Sequence, residues 1–435
     1  MMTSTGLALP IRRTAPAAEA VERYFAAFLA VFLALALTRF SPLEPRVTAS
    51  LDVGMRGDVI KQVGYVALFV AALLPAIIYR PGRVMSAVPA AFLIFFAWCA
   101  VTLLWSPVPD IAMRRLTLTF IIVATLFIVA ANLSPQRSLA ITTKTLNALI
   151  LLSLVACVAL PALAIHQPGD PEKGIIGDWR GVFYHKNIFG SVAAIAVLLN
   201  LFSALQNRRL ASWTLLTSAL FALWMSGSKT SLGVGLLAAT IMLAVQWAHG
   251  SQYRAIWAKA ALATAPLSIA GAVWWFTGPG IQWLSDPELL TGRGRIWQMM
   301  AQLIAEHPLG GVGYQSVFQT GVDGVMTDLT ANPFFQTLAH AHNGYVEIAV
   351  STGLVGLGLL LCALITSIFG PLRGLTATRF VEAPVLVGIV VFAMVQALTE
   401  SGLADRDRPV WMLLVLALGV LRSMERGPAG PRQKR

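Results

Sequence analysis

Charge is scarce in this chain. Only 12% of its 435 residues are Asp, Glu, Lys or Arg, against roughly 25% in soluble domains. Hydrophobic residues make up 57%, with a mean hydropathy of +0.72, a balance that excludes a water-soluble globular protein. Cysteine is nearly missing as well. Cys99, Cys157 and Cys362 show no C-x-x-C spacing, which excludes a disulfide framework and a zinc-finger set and leaves them as small apolar fillers within spans. Neither a G-x-x-x-x-G-K-S/T phosphate cradle nor an H-E-x-x-H metal pair occurs, so nothing indicates energy drawn from cytoplasmic ATP. The apolar runs also lack period-two alternation, which argues against a membrane barrel.

What remains is a series of apolar runs of about 16 to 25 residues, near the ~20 needed to cross a ~30 Å hydrocarbon core as a helix. They predict an all-α, polytopic membrane protein with about 12 transmembrane helices, at 24–39, 62–79, 84–105, 115–131, 146–165, 188–205, 210–226, 231–248, 257–276, 343–369, 382–400 and 409–423. The chain then divides into residues 1–276 with helices 1–9, a large outer loop at 277–342, residues 343–423 with helices 10–12, and a basic tail at 424–435. The first span lies too far from the start for a cleaved signal peptide and is followed by no small-residue cleavage site, so it is expected to stay as a helix.

The net charge of +12 follows topology. With the N-terminus inside, inner segments hold 18 basic and four acidic residues and outer segments 14 and 16. Lys and Arg bias in short loops sets orientation, so both termini are expected in the cytoplasm and no nucleic-acid partner is implied.

Two outer segments break the pattern of short connections. The first runs from His166 to Asn187. The second, from Thr277 to His342, is too long to be a simple connection and is expected to be a structured periplasmic loop. Thr291 is placed as N-cap of a helix over 295–306, where Ile296, Met299, Met300, Leu303 and Ile304 repeat at helical spacing and His307-Pro308 ends the run. That helix is expected along the outer membrane surface, with Trp283 and Trp297 as interfacial anchors.

The unusual polar residues gather on this outer face. His342 sits at the mouth of the tenth span, and an ionisable group there is a functional candidate by default. Arg180 and Arg293 offer planar donor forks suited to phosphate oxygens, with Arg295 and Lys229 as further cations. His185, Lys186, Asn187, Tyr314, His340, Asn343 and Glu347 are candidate supporting or acceptor-binding groups. Glu347 is placed to orient the imidazole or bind ligand hydroxyls, and Tyr314, Trp179 and Trp297 to stack on a ligand or to anchor at the interface. His340 and His342 share no helical face and have no third partner, so no metal site is read.

Five motifs occur in order on this face: Arg180-Gly-Val-Phe-Tyr-His-Lys-Asn187, Ser226-Gly-Ser-Lys-Thr230, Thr291-Gly-Arg-Gly-Arg-Ile-Trp297, Leu309-Gly-Gly-Val-Gly-Tyr314 and His340-Ala-His-Asn-Gly-Tyr-Val-Glu347. Together, over roughly residues 60–420, they resemble the O-antigen ligase and polysaccharide polymerase superfamily, in particular its ExoQ-like exopolysaccharide polymerases. The resemblance implies a GT-C-like helical fold in the bacterial inner membrane, with its active site facing the periplasm. It implies a metal-independent inverting glycosyltransferase, without a cofactor, that moves a glycan from undecaprenyl diphosphate to a sugar hydroxyl of a lipid-linked repeat unit. It further implies a chain-length regulator and a flippase as partners. His342 matches the histidine of the family's H-x10-G pattern, with Gly353 ten residues on, and Arg180 and Arg293 match the two arginines that hold the donor diphosphate. Lys229 stands where arginine is frequent, and Arg295 competes with Arg293 for the phosphate role.

Two other functions fit parts of this pattern. An O-antigen ligase shares the donor chemistry but uses lipid A core as acceptor, and a secondary transporter shares the plan of twelve spans with both ends inside. Carriers place ionisable sites near the midplane on paired repeats, whereas here they crowd one mouth. The glycosyl-transfer reading requires that Arg180, Arg293 and His342, distant in sequence, meet in one outer cavity.

Overall fold

The computed structural model describes residues 15–43, 58–170, 173–248, 289–318, 320, 324–336, 338–372 and 381–425. The expected ninth span at 257–276 and Trp283 lie outside the described residues. Among these residues the structure is helices and connecting loops, with one isolated antiparallel bridge between Ile165 and Trp179. The principal helices are α1 (Ala15–Leu37), α2 (Val59–Tyr79), α3 (Ala90–Val101), α4 (Pro109–Asn132), α5 (Pro135–Ala159), α6 (Lys186–Asn207), α7 (Leu210–Met225), α8 (Lys229–Ala248), α9 (Leu289–Glu306), α10 (Gly344–Leu372), α11 (Ala383–Gln396) and α12 (Pro409–Glu425). Each expected span outside 257–276 coincides with one of them. Seven of the described helices, α1, α2, α4, α5, α6, α8 and α10, are long and apolar enough to cross a membrane, and α3, α7 and α11 are shorter apolar helices. The chain is an all-α, multi-pass membrane protein.

Local sequence sets several of the starts. Proline opens α4, α5 and α12, where its missing N–H is one that no helix turn would have satisfied. Helices that are apolar almost all round go to the centre. In α12 the run from Trp411 to Leu421 is buried, and the helix packs on α4, α10 and α11. By contrast, α2 buries only Tyr65, Ala72 and Ala76 and presents the rest of its surface outward. Inside the bundle, Asn147 of α5 and Asn200 of α6 satisfy one another by exchanging two amide hydrogen bonds, at 2.9 and 2.7 Å.

Helix α10 is broken at Gly353, whose φ of 70° and ψ of 179° are not helical. A break exposes backbone groups that must find partners away from water. The segment Pro308–Gly313 supplies them. Val312 N donates to Val350 O at 2.8 Å, Gly313 N to Ser351 O at 3.0 Å, and Leu354 N to Pro308 O at 2.8 Å. From α3, the Trp98 indole donates to Thr352 O at 2.8 Å, and nearby Trp105 donates to Gly311 O at 3.1 Å. The Gly310-Gly-Val-Gly313 segment is therefore bonded into the break.

Helix α9 corrects one expectation and refines another. It begins at Leu289, so Thr291 lies inside the helix and is not its N-cap. Its stripe of Ile296, Met300 and Leu303 is buried against Val317, Phe318, Met326, Ala341 and Val350. The apolar face thus packs on the protein's own outer loop and on the first half of α10. The end of the helix falls at Glu306, as His307-Pro308 predicts.

Gly353→Ala is expected to prevent folding, because an added Cβ would lie 1.9 Å from Leu309 O and 2.6 Å from Gly310 N. The left-handed backbone alone would cost a larger residue about 1–3 kcal/mol. Gly358→Ala, with nothing within 4 Å of the new methyl, should be tolerated. Size-exclusion profiles of the two purified variants check the contrast; a monodisperse Gly353→Ala protein at normal yield would refute it.

Candidate functional site

The site is built where the starts of α6 and α10 approach the loop between α11 and α12. Asn343 caps α10, its Oδ1 accepting from the backbone N–H of Tyr345 at 3.0 Å and of Val346 at 3.1 Å. Gly344 N donates to Ala397 O at 2.8 Å, fastening this start to the end of α11. Immediately before the cap, His342 adopts a left-handed φ of 55°. Its neighbours hold it there: the Trp297 indole of α9 donates to Ala341 O at 2.9 Å, and the Glu347 carboxylate accepts from Ala341 N at 3.4 Å. Glu347 therefore braces the backbone beside the imidazole. The His340 and His342 rings stand perpendicular, 4.2 Å apart.

The start of α6 is organised by the turn from Arg180 to Lys186. Arg180 is 3% exposed, and its Nη1 donates to Phe183 O at 3.2 Å and Tyr184 O at 3.5 Å. Arg39, at the end of α1, lies over the Tyr184 ring at 4.8 Å. The His185 ring caps α6 by accepting from Asn187 N at 3.1 Å. His166 accepts from Lys186 N at 3.2 Å while its other ring nitrogen bonds Asp170, and the Lys186 ammonium pairs with Asp178. Every one of these contacts fixes where Asn187 points.

Glu400 is where the two halves meet. Its Oε1 accepts from Asn187 Nδ2 at 3.1 Å and from Arg293 Nη2 of α9 at 3.2 Å, while Arg293 Nη1 donates to Thr399 O. Its Oε2 lies 3.8 Å from His342 Nδ1. Burial by itself would raise the Glu400 carboxyl, but the His342 imidazole and the Arg293 and Arg408 guanidinium groups outweigh it and hold it below the ordinary carboxylate range. Two helix starts, each with a partial positive charge, face the same carboxylate. Glu400 is thus an anion set among cationic groups, with Asp405 as a second one close by. His340 responds in the opposite sense: burial, then Arg408 and His342, push its pKa well below the usual imidazole value, so it is neutral at pH 7.

A second tier stands behind Glu400. Asp405 is held below its usual range because Arg408 and Arg406 outweigh the effect of burial, and Arg406 donates to Gln315 at 3.1 Å. Tyr314 is fully buried with its hydroxyl donating to Ala404 O at 2.6 Å, so it serves as wall in this conformation and offers no face for a sugar. Trp297 likewise spends its indole N–H on the backbone, and Trp179 packs edge-on against Phe221.

Of the residues expected to meet, Arg293 and His342 share Glu400 directly. Arg180 lies in the turn that leads to Asn187, the third group on that carboxylate. Arg293 and Arg295 separate cleanly: the first is drawn into the cluster, whereas Arg295 is exposed. Lys229 is exposed at the start of α8. Sequence reasoning gave Glu400 and Arg408 no role. The signal was present in Glu400 to Arg408, which packs five charged residues into nine in a chain otherwise poor in charge.

Residues 192–361 match the family model for O-antigen ligase, a stretch that includes Arg293 and His342 and stops short of Arg180 and Glu400. A stretch of 114 residues is 38% identical to the exopolysaccharide production protein ExoQ of Rhizobium meliloti (strain 1021), covering 26% of this chain and 26% of that protein. The match thus spans about a quarter of the relative's length. Both findings bear out the resemblance to the O-antigen ligase and exopolysaccharide polymerase superfamily.

The charges predict two separate acid limbs of stability. His340 has a depressed folded-state pKa, so below the ordinary ~6.5 the unfolded chain takes up a proton that the folded one refuses, costing up to ~1.4 kcal/mol per pH unit. Glu400 and Asp405 are depressed carboxyls. Their stabilisation is fully present above the ordinary ~4 and is lost as pH falls through their lower folded-state values. In melting of detergent-solubilised protein between pH 7 and 4, His340→Gln should therefore gain stability relative to the wild type as pH falls below about 6.5. A constant difference between the two proteins across this window would contradict the assignment to His340.

Proposed function

We propose that this chain is an exopolysaccharide polymerase of the inner membrane, working on its periplasmic side. Its donor would be a glycan on undecaprenyl diphosphate and its acceptor a sugar hydroxyl on a lipid-linked repeat unit. The observation behind this reading is the carboxylate of Glu400, which accepts from a guanidinium fork suited to phosphate and lies 3.8 Å from the His342 imidazole.

In this mechanism a hydroxyl oxygen of the acceptor attacks the anomeric carbon, its proton passes to His342, and the bond from that carbon to the diphosphate oxygen breaks with inversion. The electron pair leaves with the lipid diphosphate. A sugar hydroxyl is a weak nucleophile, and a general base typically contributes ~10² to 10⁴ in rate. The leaving group gains negative charge as the bond breaks, so the prepositioned Arg293 and the two helix starts stabilise the transition state more than the ground state. Arg180 supports the reaction by fastening the turn that aims Asn187. Similarity to a protein named for exopolysaccharide production favours a polymerase over a ligase that would use lipid A core. A chain-length regulator and a flippase would complete the pathway, and twelve crossings with both termini in the cytoplasm remain the proposed topology.

His342→Ala should reduce extracellular polymer by at least about 100-fold in a deletion strain while leaving the amount of membrane-inserted protein unchanged. Arg293→Lys should also lose most activity, because a point ammonium cannot reproduce the planar fork. Wild-type polymer from His342→Ala would remove the histidine from the chemistry. Full activity in Arg293→Lys beside an inactive Arg295→Lys would move the phosphate role to Arg295.

A further inference from the structure

We propose that Glu400 is a stand-in for the donor's phosphate: its carboxylate holds the Arg293 fork, yields it to the arriving diphosphate, and turns to His342 Nδ1 to orient the base. This rests on the reading of Arg293 as the diphosphate ligand.

The two oxygens of Glu400 are in different situations. Oε1 is taken by Arg293 and Asn187. Oε2 points toward His342 Nδ1 at 3.8 Å, too far for a hydrogen bond, and that ring nitrogen is buried with no hydrogen-bond partner. An orphaned buried ring nitrogen of this kind costs stability, so it marks a bond waiting to be made. Closing the gap to ~2.8 Å needs a shift of only about 1 Å. What prevents it is the hold of Arg293 on the other oxygen.

A diphosphate carries more charge than a carboxylate and pairs bidentately with a guanidinium, so it competes well for the fork. Once displaced, Glu400 still faces Asn187, Arg408 and His342 and keeps its charge compensated. The His340 ring packs against this imidazole at 4.2 Å, and the charged or titratable groups that act on His340 in turn are Arg408 and His185. With Nδ1–H donating to Glu400, the proton is fixed on that nitrogen and the lone pair on Nε2, where an acceptor hydroxyl can use it. Donor arrival and readiness of the base become one event. Until then Glu400 keeps Arg293, Arg408 and two helix starts from confronting each other without an anion between them.

Glu400 is thus a positioning residue, and the test uses full-length protein in lipid nanodiscs with geranylgeranyl diphosphate as probe and geranylgeraniol as the control for tail binding. Glu400→Gln removes the competing anion, so it should bind the diphosphate about 3- to 10-fold tighter while polymer output in the deletion strain falls at least about 10-fold. Loss of a merely structural residue would weaken both. In an Arg293→Gln background the gain in affinity should vanish, since the competition is for that fork. Weaker binding by Glu400→Gln, undiminished polymer, or the same gain without Arg293 would each overturn the proposal. Wild-type affinity in Arg293→Gln alone would instead overturn the donor site on which it rests.

Discussion

Four pieces of the outer face are tied together through one carboxylate, that of Glu400. Glu400 is the point at which α6, α9, the start of α10 and the α11–α12 loop become mutually dependent, through Asn187, Arg293, His342 and its own backbone neighbours. Cations gathered at so small a spot repel one another unless an anion lies among them, and a low-dielectric setting strengthens both effects. The carboxylate therefore has structural and chemical consequences that cannot be separated. It organises the residues that glycosyl transfer would use, and it keeps them from flying apart.

The second requirement is that no backbone group be left alone. The left-handed turn at His342 is sustained by Trp297 and Glu347 acting on Ala341, and by the Asn343 cap just beyond. The turn from Arg180 to Lys186 is sustained by an arginine spent on carbonyls and a histidine spent on an amide. Polar side chains that sequence alone presents as possible ligands are thus divided into two kinds. A few face the pocket, and more of them hold the loops that aim those few.

This division explains what could be read in the sequence. Long apolar runs and loop charges gave the helical, membrane-spanning character directly, since both depend on composition within one segment. That Arg293 and His342 lie near one another was legible because both fall in motifs assigned to the same face. Glu400 was not, because nothing local distinguishes a carboxylate that will share two partners from one that ends a helix. Thr291 failed as a cap for a related reason: the Ser/Thr signal is real, but tertiary packing of Ile296, Met300 and Leu303 lets α9 begin a little earlier. Tyr314 looked like a sugar platform and proved to be wall, since its burial depends on Ala404, 90 residues away.

The interruption of α10 also has a mechanical meaning. A continuous helix transmits tilt along its whole length, and a bilayer of different thickness tilts the helices that cross it. In α10 the ladder stops at Gly353, and the upper piece is tied sideways to Pro308–Gly313 and to the end of α11. With the upper piece held by those partners, the imidazole takes its position from Pro308–Gly313 and α11 and not only from the part of α10 below the joint.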